Sequence, residues 1–570
     1  MMLRAFRLVA YMAVIVAICP VPQSKGALAF LGLVAAGGEA SALADAELPA
    51  GMTLNWDKTS IVTVNPKRAQ VSLEGLWHFI PAAEGTAEPP KVGWAYIKVP
   101  GSWQSARGRS SDVVARGGGP QWDLYDGARV ARAWYERQVP IPAEWQGRAI
   151  SLRFDRVCTD AIVYVNGREC GKVPWPWGEV DITSAVTPGQ TANVRVLVAA
   201  IADAEQVGTF WQNAFMNVTY TAASLRSRGL TGSVFLESRS SEARVTDVFV
   251  RTSTRKKEIA LDVELTSLKQ AGQVHIIADM LNEKGEVEKS FSADAAVLAR
   301  ETQTLTVAWP WADPRLWDVG QPNLYTLRLT VTGAGVDEQY HQKFGFREFW
   351  IEGRQFYLNG TVVHLRQPCF YNGPRGQVGD IFSEMGGETV DARGDASDSG
   401  RNLDEADRTG YLVAQYILNA NKYLMNSRGV VWEQNRQRAL ERAAVWMRHY
   451  CNHPSVIMWI AGFNFFNSAA DADPHFIGRR GWGQSDERWQ RLMGFGKEMF
   501  AGLKRLDPTR AYYSHAGAYT GDIYTMNCYL DLLPLQERED WLSAWAKDGE
   551  IPVSMVEFGT PMDCTFRRGR

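Results

Sequence analysis

The sequence predicts a multidomain protein: an N-terminal export segment, two antiparallel β-sandwiches, and then an incomplete (β/α)8 TIM barrel. Three observations predict it. The chain has 570 residues, too many for one hydrophobic core. Up to about residue 343, apolar and polar residues alternate in short runs broken by Gly, Pro and Asn, which is the period of half-buried strands. Beyond residue 345 the texture changes, and helical periodicity alternates with short apolar runs.

The first segment, residues 1–46, reads as a signal peptide. Arg4 and Arg7 precede an apolar run from Leu8 to Cys19, and small residues follow as far as Ala46. That run is short for a membrane span, which needs roughly 20 residues. A secreted or periplasmic location is therefore expected, with membrane contact only through an uncleaved signal segment; a membrane-anchored stub is the alternative. The composition fits a soluble globular protein: 45% hydrophobic, 22% charged, net charge -2. That balance argues against a nucleic-acid partner. The 21 Trp offer flat faces on which sugar rings stack, although sandwich cores also consume Trp.

Residues 50–240 form the first expected sandwich. Ile150, Leu152 and Phe154 alternate with polar residues, and Ala161 to Val165 runs into an Asn166-Gly167 hairpin turn. The seven cysteines show no C-x-x-C spacing, so neither zinc nor a disulfide framework is indicated. A two-residue turn at Asn166-Gly167 would pair Val163, not Cys158, with Cys170, which argues against a bridge between the two. Residues 241–343 form the second expected sandwich, of a length that suits an immunoglobulin-like domain. Residues 344–570 form the expected barrel region. Helices are predicted over Gln434–Tyr450 and around Trp489–Leu506. Strands are predicted at Val456–Ile460, Ala511–Ser514, Ile523–Asn527 and Val553–Val556.

Several segments in this order resemble glycoside hydrolase family 2, the β-galactosidase/β-glucuronidase group, from about residue 70 to the end. They include Leu73-Glu74-Gly75-Leu76-Trp77, Val99-Pro100-Gly101-Ser102-Trp103, Trp134-Tyr135-Glu136-Arg137, Pro322-Asn323-Leu324-Tyr325, Phe344-Gly345-Phe346-Arg347-Glu348 and Asn452-His453-Pro454-Ser455. The resemblance implies a sugar-binding jelly roll at the front and a retaining exo-β-glycosidase that acts on a carbohydrate substrate and needs no cofactor or metal. Such enzymes use two carboxyl groups about 5–5.5 Å apart, one as nucleophile and one as acid then base. Glu557, in Val556-Glu557-Phe558-Gly559, resembles the family's nucleophile; a strand-end salt bridge is the alternative. Asn527-Cys528-Tyr529 resembles the Asn-x-Tyr whose Tyr hydrogen-bonds that nucleophile, although Tyr529 could equally fill the rim.

Two departures stand out. Where the family reads Gly-Asn-Glu, this chain reads Gly462-Phe463-Asn464. Phe463 replaces the Asn that contacts the sugar 2-hydroxyl, and Asn464 replaces the acid/base Glu. An amide has no proton to give a leaving group, a loss of roughly 10²–10⁴-fold. Asp471 and Asp473 are candidate substitute acids, or else solvated loop residues. Trp459 and His515 are further candidate substrate contacts, with a structural role for His515 as the alternative. The second departure is the stretch between Arg366 and Leu403, rich in Gly, Asp and Ser, where loop is predicted instead of the family's strand and helix. With the chain stopping 13 residues past Glu557, an incomplete barrel is expected. Two other functions compete with the hydrolase. One is a non-catalytic carbohydrate-binding pseudo-glycosidase; the other is a structural sandwich protein with a vestigial barrel. The sugar and the oligomeric state are not legible.

Overall fold

A computed structural model describes residues 44–52, 54, 61–65, 68–82, 88–103, 111–123, 125–127, 130, 132–158, 160–173, 177–199, 228–240, 243–365, 382–385, 399–417, 430–461, 487–514, 517, 519–527, 534–538 and 540–557. The export segment expected over residues 1–46 lies almost wholly outside them. No helix among the described residues is long and apolar enough to cross a membrane.

The first β region is built from two antiparallel sheets, as the alternation predicts. One has five strands, ordered Ile61–Asn65, Arg68–Ser72, Val234–Arg239, Ala149–Phe154 and Gly178–Asp181. The other has seven, from Val113–Ala115 through Gly75–Pro81 and Thr191–Ala199 to Arg168–Val173. Inward-facing residues of both sheets share one core. Much of the tryptophan is used there: Trp77, Trp103, Trp134 and Trp145 are all buried. The Asn166-Gly167 turn forms as expected, with positive φ at both residues, the geometry a two-residue hairpin needs. Its register differs by one residue. A bulge lies between Val163 and Tyr164, so Val163 faces Gly171 and not Cys170. Cys158 and Cys170 are free thiols.

The second β region is also a pair of antiparallel sheets. The strands Arg244–Ser253, Glu258–Leu268 and Arg300–Pro310 form one. Val287–Val297, Gly272–Leu281, Tyr325–Gly333 and Val336–Phe344 form the other. Val248, Val250, Ile259, Leu261 and Val263, which alternate along their strands, all point into the shared core. A short meander over Phe349–Glu352, Gln355–Leu358 and Thr361–Val363 follows.

The remaining described segments alternate strand and helix. They are β1 (Phe382–Met385), α1 (Ser399–Thr409), β2 (Leu412–Tyr416), α2 (Val430–Tyr450), β3 (Val456–Ile460), α3 (Glu487–Leu506), β4 (Ala511–Tyr513), β5 (Tyr524–Asn527) and β6 (Val553–Glu557). All strand pairs here are parallel, in a sheet β1-β2-β3-β4 and a pair β5-β6. The loop predicted between Arg366 and Leu403 is therefore corrected: it contains β1 and the start of α1. Tertiary pairing to β2 overrides the weak local signal of a Gly- and Asp-rich stretch. The parallel strands are apolar on both faces, as buried parallel strands must be. One face carries Leu412, Ala414, Ile457, Met458, Ile460 and Tyr513, packed with Trp317, Phe349 and Leu358. The other carries Val413, Val456, Trp459 and Tyr512, covered by residues of α1, α2 and α3.

Polar side chains in the Asn452-His453-Pro454 turn connect these layers. Asn452 accepts from Val250 N–H at 2.9 Å and donates to Val248 O at 2.7 Å, pinning the turn to the second sandwich. Arg448 pairs with Asp247 beside it. Trp177 lies flat against His449 with ring centroids 4.2 Å apart and meets Trp446 edge-on. It thus joins the first sandwich to α2.

Beneath β3, Arg510 donates to Asp507 at 2.8 Å and to the carbonyls of Val456 and Cys451, all in the interior. Replacing Arg510 with Met leaves the Asp507 carboxylate buried without its cation. The expected cost is about 3–5 kcal/mol, read by urea unfolding; a cost under about 1 kcal/mol would show that the pair is not what holds this layer.

Candidate active site

Parallel strands bring their C-terminal ends to one edge of a sheet, and in β/α folds the functional groups gather there. In this chain β2 ends at Tyr416, β3 at Ile460, β4 at Tyr513, β5 at Asn527 and β6 at Glu557. Described residues on either side of the β4–β5 connection are hydrogen-bonded to each other. Asp522 N–H donates to Tyr512 O at 2.8 Å, Tyr512 N–H donates to the Asp522 carboxylate at 2.9 Å, and Thr525 donates to Ser514 O.

The β5-β6 pair carries the geometry most relevant to chemistry. Its register runs Tyr524 to Val553, Thr525 to Ser554 and Met526 to Met555, and then shifts so that Asn527 stands opposite Glu557. Val556 is the extra residue, and bulges of this kind are common beside active sites. Two residues selected from sequence, 30 positions apart in the chain, are thus neighbours at the ends of adjacent parallel strands. Tyr529, His515, Phe463, Asn464, Asp471 and Asp473 lie outside the described residues.

Trp459 is corrected. It is fully buried on the helix-covered face of β3, packed among core residues, and its indole N–H donates to Asp507 at 2.8 Å. A side chain enclosed on that face has no access to a sugar. Asp507 itself stays ionised: burial alone would raise its pKa, but Arg510, Thr509 and the Trp459 indole together hold it below the ordinary carboxylate value.

Two polar residues at strand ends escaped the sequence reading. Gln415 on β2 is fully buried; its amide donates to Tyr416 O at 3.0 Å, and its carbonyl has no partner among the described residues. A Gln inside the apolar run Leu412–Tyr416 breaks the pattern, and that break was the available signal. Ser514, after β4, is buried with an unpartnered hydroxyl, and nothing in its sequence context marks it.

Among the described residues, Asp404, Asp407 and His453 form one group that could approach a metal ion. Its chemistry favours hydrogen bonding instead. His453 Nδ1 lies 2.6 Å from one Asp407 oxygen, and Ser455 N–H donates to the other at 3.0 Å. The group joins α1 to the turn before β3, where Trp317 also donates to Asp407 O at 2.7 Å.

Comparison with known proteins follows this architecture. Residues 243–347 match the family model of the glycosyl hydrolases family 2. A β-galactosidase of Bacteroides ovatus is 23% identical over 416 residues, covering 66% of this chain and 46% of its own. A β-glucuronidase of Streptococcus agalactiae is 22% identical over 366 residues, covering 60% of each chain. The structure of a β-glucuronidase from Ruminococcus gnavus, in complex with a C6-substituted uronic isofagomine, superimposes with a TM-score of 0.60 at 20% identity, covering 87% of this chain and 84% of that one. The fold is therefore that of the multidomain β-glucuronidases. The chain is similar to members of glycoside hydrolase family 2, in line with its motifs. It spans about half the length of the curated relatives it matches.

The His453–Asp407 pair carries a pH signature. Burial alone would lower the imidazole pKa, but the Asp407 charge and hydrogen bond outweigh it and hold His453 above its ordinary 6.5. A raised folded-state pKa means that the stabilisation is fully present below pH 6.5 and is lost as pH climbs through the raised value. Urea unfolding should show stability falling from pH 6 towards pH 9, with a shallower slope in His453→Gln. Equal slopes in both proteins would contradict the assignment.

Proposed function

We propose that this chain is a hydrolase of O-glycosyl bonds, a retaining exo-β-glycosidase exported to the periplasm or the medium, with Glu557 as nucleophile. The observation that carries the proposal is the β5-β6 register, which sets Asn527 beside Glu557 where parallel strands end. The β-galactosidases and β-glucuronidases among its relatives support the same reading. In this reading residues 50–240 are a sugar-binding jelly roll, 241–343 an immunoglobulin-like sandwich and 344–570 the barrel that bears the chemistry. The two apolar faces of the parallel strands support the barrel assignment, since one becomes its interior and the other meets the outer helices.

The chemistry follows from the carboxylate. Glu557 attacks the anomeric carbon to form a glycosyl ester, and the aglycone oxygen departs with the bonding pair. Tyr529, donating a hydrogen bond, keeps the carboxylate ionised and oriented. Asn527 and His515 contact the sugar, with Phe463 at the 2-hydroxyl side. Asn464 has no acidic proton, so a basic leaving group must take its proton from another acid, for which Asp471 and Asp473 are the candidates. Water then hydrolyses the ester.

A second reading rests on position 464 alone: with no proton donor there, the protein would bind a β-linked carbohydrate without cleaving it. One kinetic series separates the two. Aryl β-galactosides, β-glucuronides and β-mannosides with 2,4-dinitrophenyl leaving groups need little protonation, and the enzyme should turn one series over. Glu557→Gln should abolish that turnover. Asn464→Glu should speed cleavage of the poorly activated phenyl analogue by about 10²-fold or more. Saturable sugar binding with no release of dinitrophenol would establish the binding protein instead.

A further inference from the structure

At the opposite end of the parallel strands from Asn527 and Glu557, the second sandwich and the segment before β4 enclose a cleft of about 500 Å3. Its walls come from the strand Arg244–Ser253 and the turn after it, the meander strand Phe349–Glu352, and residues 508–511. The lining carries six cations and three carboxylates. Two of those carboxylates are already taken. Glu348 is held by Arg255 at 2.6 Å and by Ser253, and Asp522 is held by Lys504 at 2.6 Å.

Arg347, at the back of the cleft, is 6% exposed. Its guanidinium donates only to carbonyls, to Pro454 O at 2.9 Å and Val456 O at 2.5 Å, and it has no ion-pair partner among the described residues. Arg510 converges on the same Val456 carbonyl at 2.7 Å. Two buried guanidinium groups thus share one acceptor; Asp507 pairs with Arg510, and the charges of Asp507, Asp407 and Glu348 offset Arg347 only in part, without an ion pair to it among the described residues. Burial first, and then the neighbouring Arg510 charge, push Arg347 down to about 9. Arg251 gives one terminal nitrogen to Asp262 at 2.7 Å, outside the lining, while its Nε and the Trp350 indole N–H are buried donors without a partner among the described residues. Surplus buried positive charge beside an open cleft is costly unless an anion offsets it.

We propose that this cleft binds a small oxyanion of the phosphate class, held by Arg251 and Lys256 in the field of Arg347. Guanidinium and ammonium groups are the usual partners of such oxyanions, since their charge-assisted hydrogen bonds match tetrahedral oxygens. The ligand would bridge the second sandwich to the layer beneath β4. The inference does not depend on the hydrolase reading.

The test is calorimetric titration of the full chain with inorganic phosphate at constant ionic strength, alongside acetate and glucuronate. Phosphate should bind saturably and more tightly than either carboxylate. Lys256→Glu and Arg251→Gln should each weaken it about tenfold, the loss expected for one charge-assisted contact. Lys284→Glu, the same charge change on a distant exposed turn, should leave binding unchanged, and near-UV circular dichroism should match in all four proteins. No saturable phosphate binding would overturn the proposal. So would equal weakening by Lys284→Glu, wild-type affinity in both cleft variants, or tighter binding of a carboxylate than of phosphate.

Discussion

The architecture turns on one carbonyl. Val456 O, at the start of β3, accepts from Arg510 and from Arg347, which come from opposite directions along the chain. Arg510 is anchored by the buried Asp507, which also takes the Trp459 indole. Arg347 arrives from the segment that leaves the second sandwich, and Asn452 and Arg448 fasten the same turn to that sandwich's first strand. Neither guanidinium could be replaced by an apolar side chain without stranding the backbone acceptors or the Asp507 charge. Charges are costly to bury, so their concentration at this turn sets the relation between the sandwich and the parallel strands.

That placement gives the candidate site its geometry. With the N-terminal ends of β3 and β4 fixed by the arginine network, their C-terminal ends face the other way. Hydrogen bonds from Thr525 to Ser514 and between Tyr512 and Asp522 link β4 to the start of β5, whose end sets Asn527 opposite Glu557. A nucleophile's carboxylate must be held within about 0.5 Å of its productive geometry, which a position on a strand serves better than one on a loop. In the proposed chemistry, Asn464 in the place of an acid/base removes the proton donor for leaving-group departure and the base that activates water, but not the attacking carboxylate. Substrates with good leaving groups therefore bear directly on what the chain can do.

Much of this was legible in the sequence, and the exceptions have physical causes. The limits of β3 and the end of α2 at Tyr450 follow from His453-Pro454 and from unbroken apolar runs, signals that survive in any tertiary setting. The alternation of Ile259, Leu261 and Val263 fixed the inward face of the second sandwich for the same reason. The strand Phe382–Met385 and the start of α1 were missed because pairing with β2, and not local composition, determines them. Trp459 was misread because periodicity shows that a residue is buried but not which of two apolar faces it lies on. A parallel strand buried on both sides has no polar face to orient it. The roles of Arg347, Asp507 and Arg510 were invisible for a further reason: each depends on partners far away in the chain.

The central claim, that Glu557 is a nucleophile, is tested most directly by trapping. The protein would be incubated with 2-deoxy-2-fluoro β-glycosides bearing a dinitrophenyl leaving group, and intact mass and peptide maps recorded. The account predicts a single fluoroglycosyl adduct, mapped to Glu557 and absent in Glu557→Gln, with the reactive probe identifying the sugar. A folded protein that gains no mass from any probe, or that is labelled elsewhere, would contradict it.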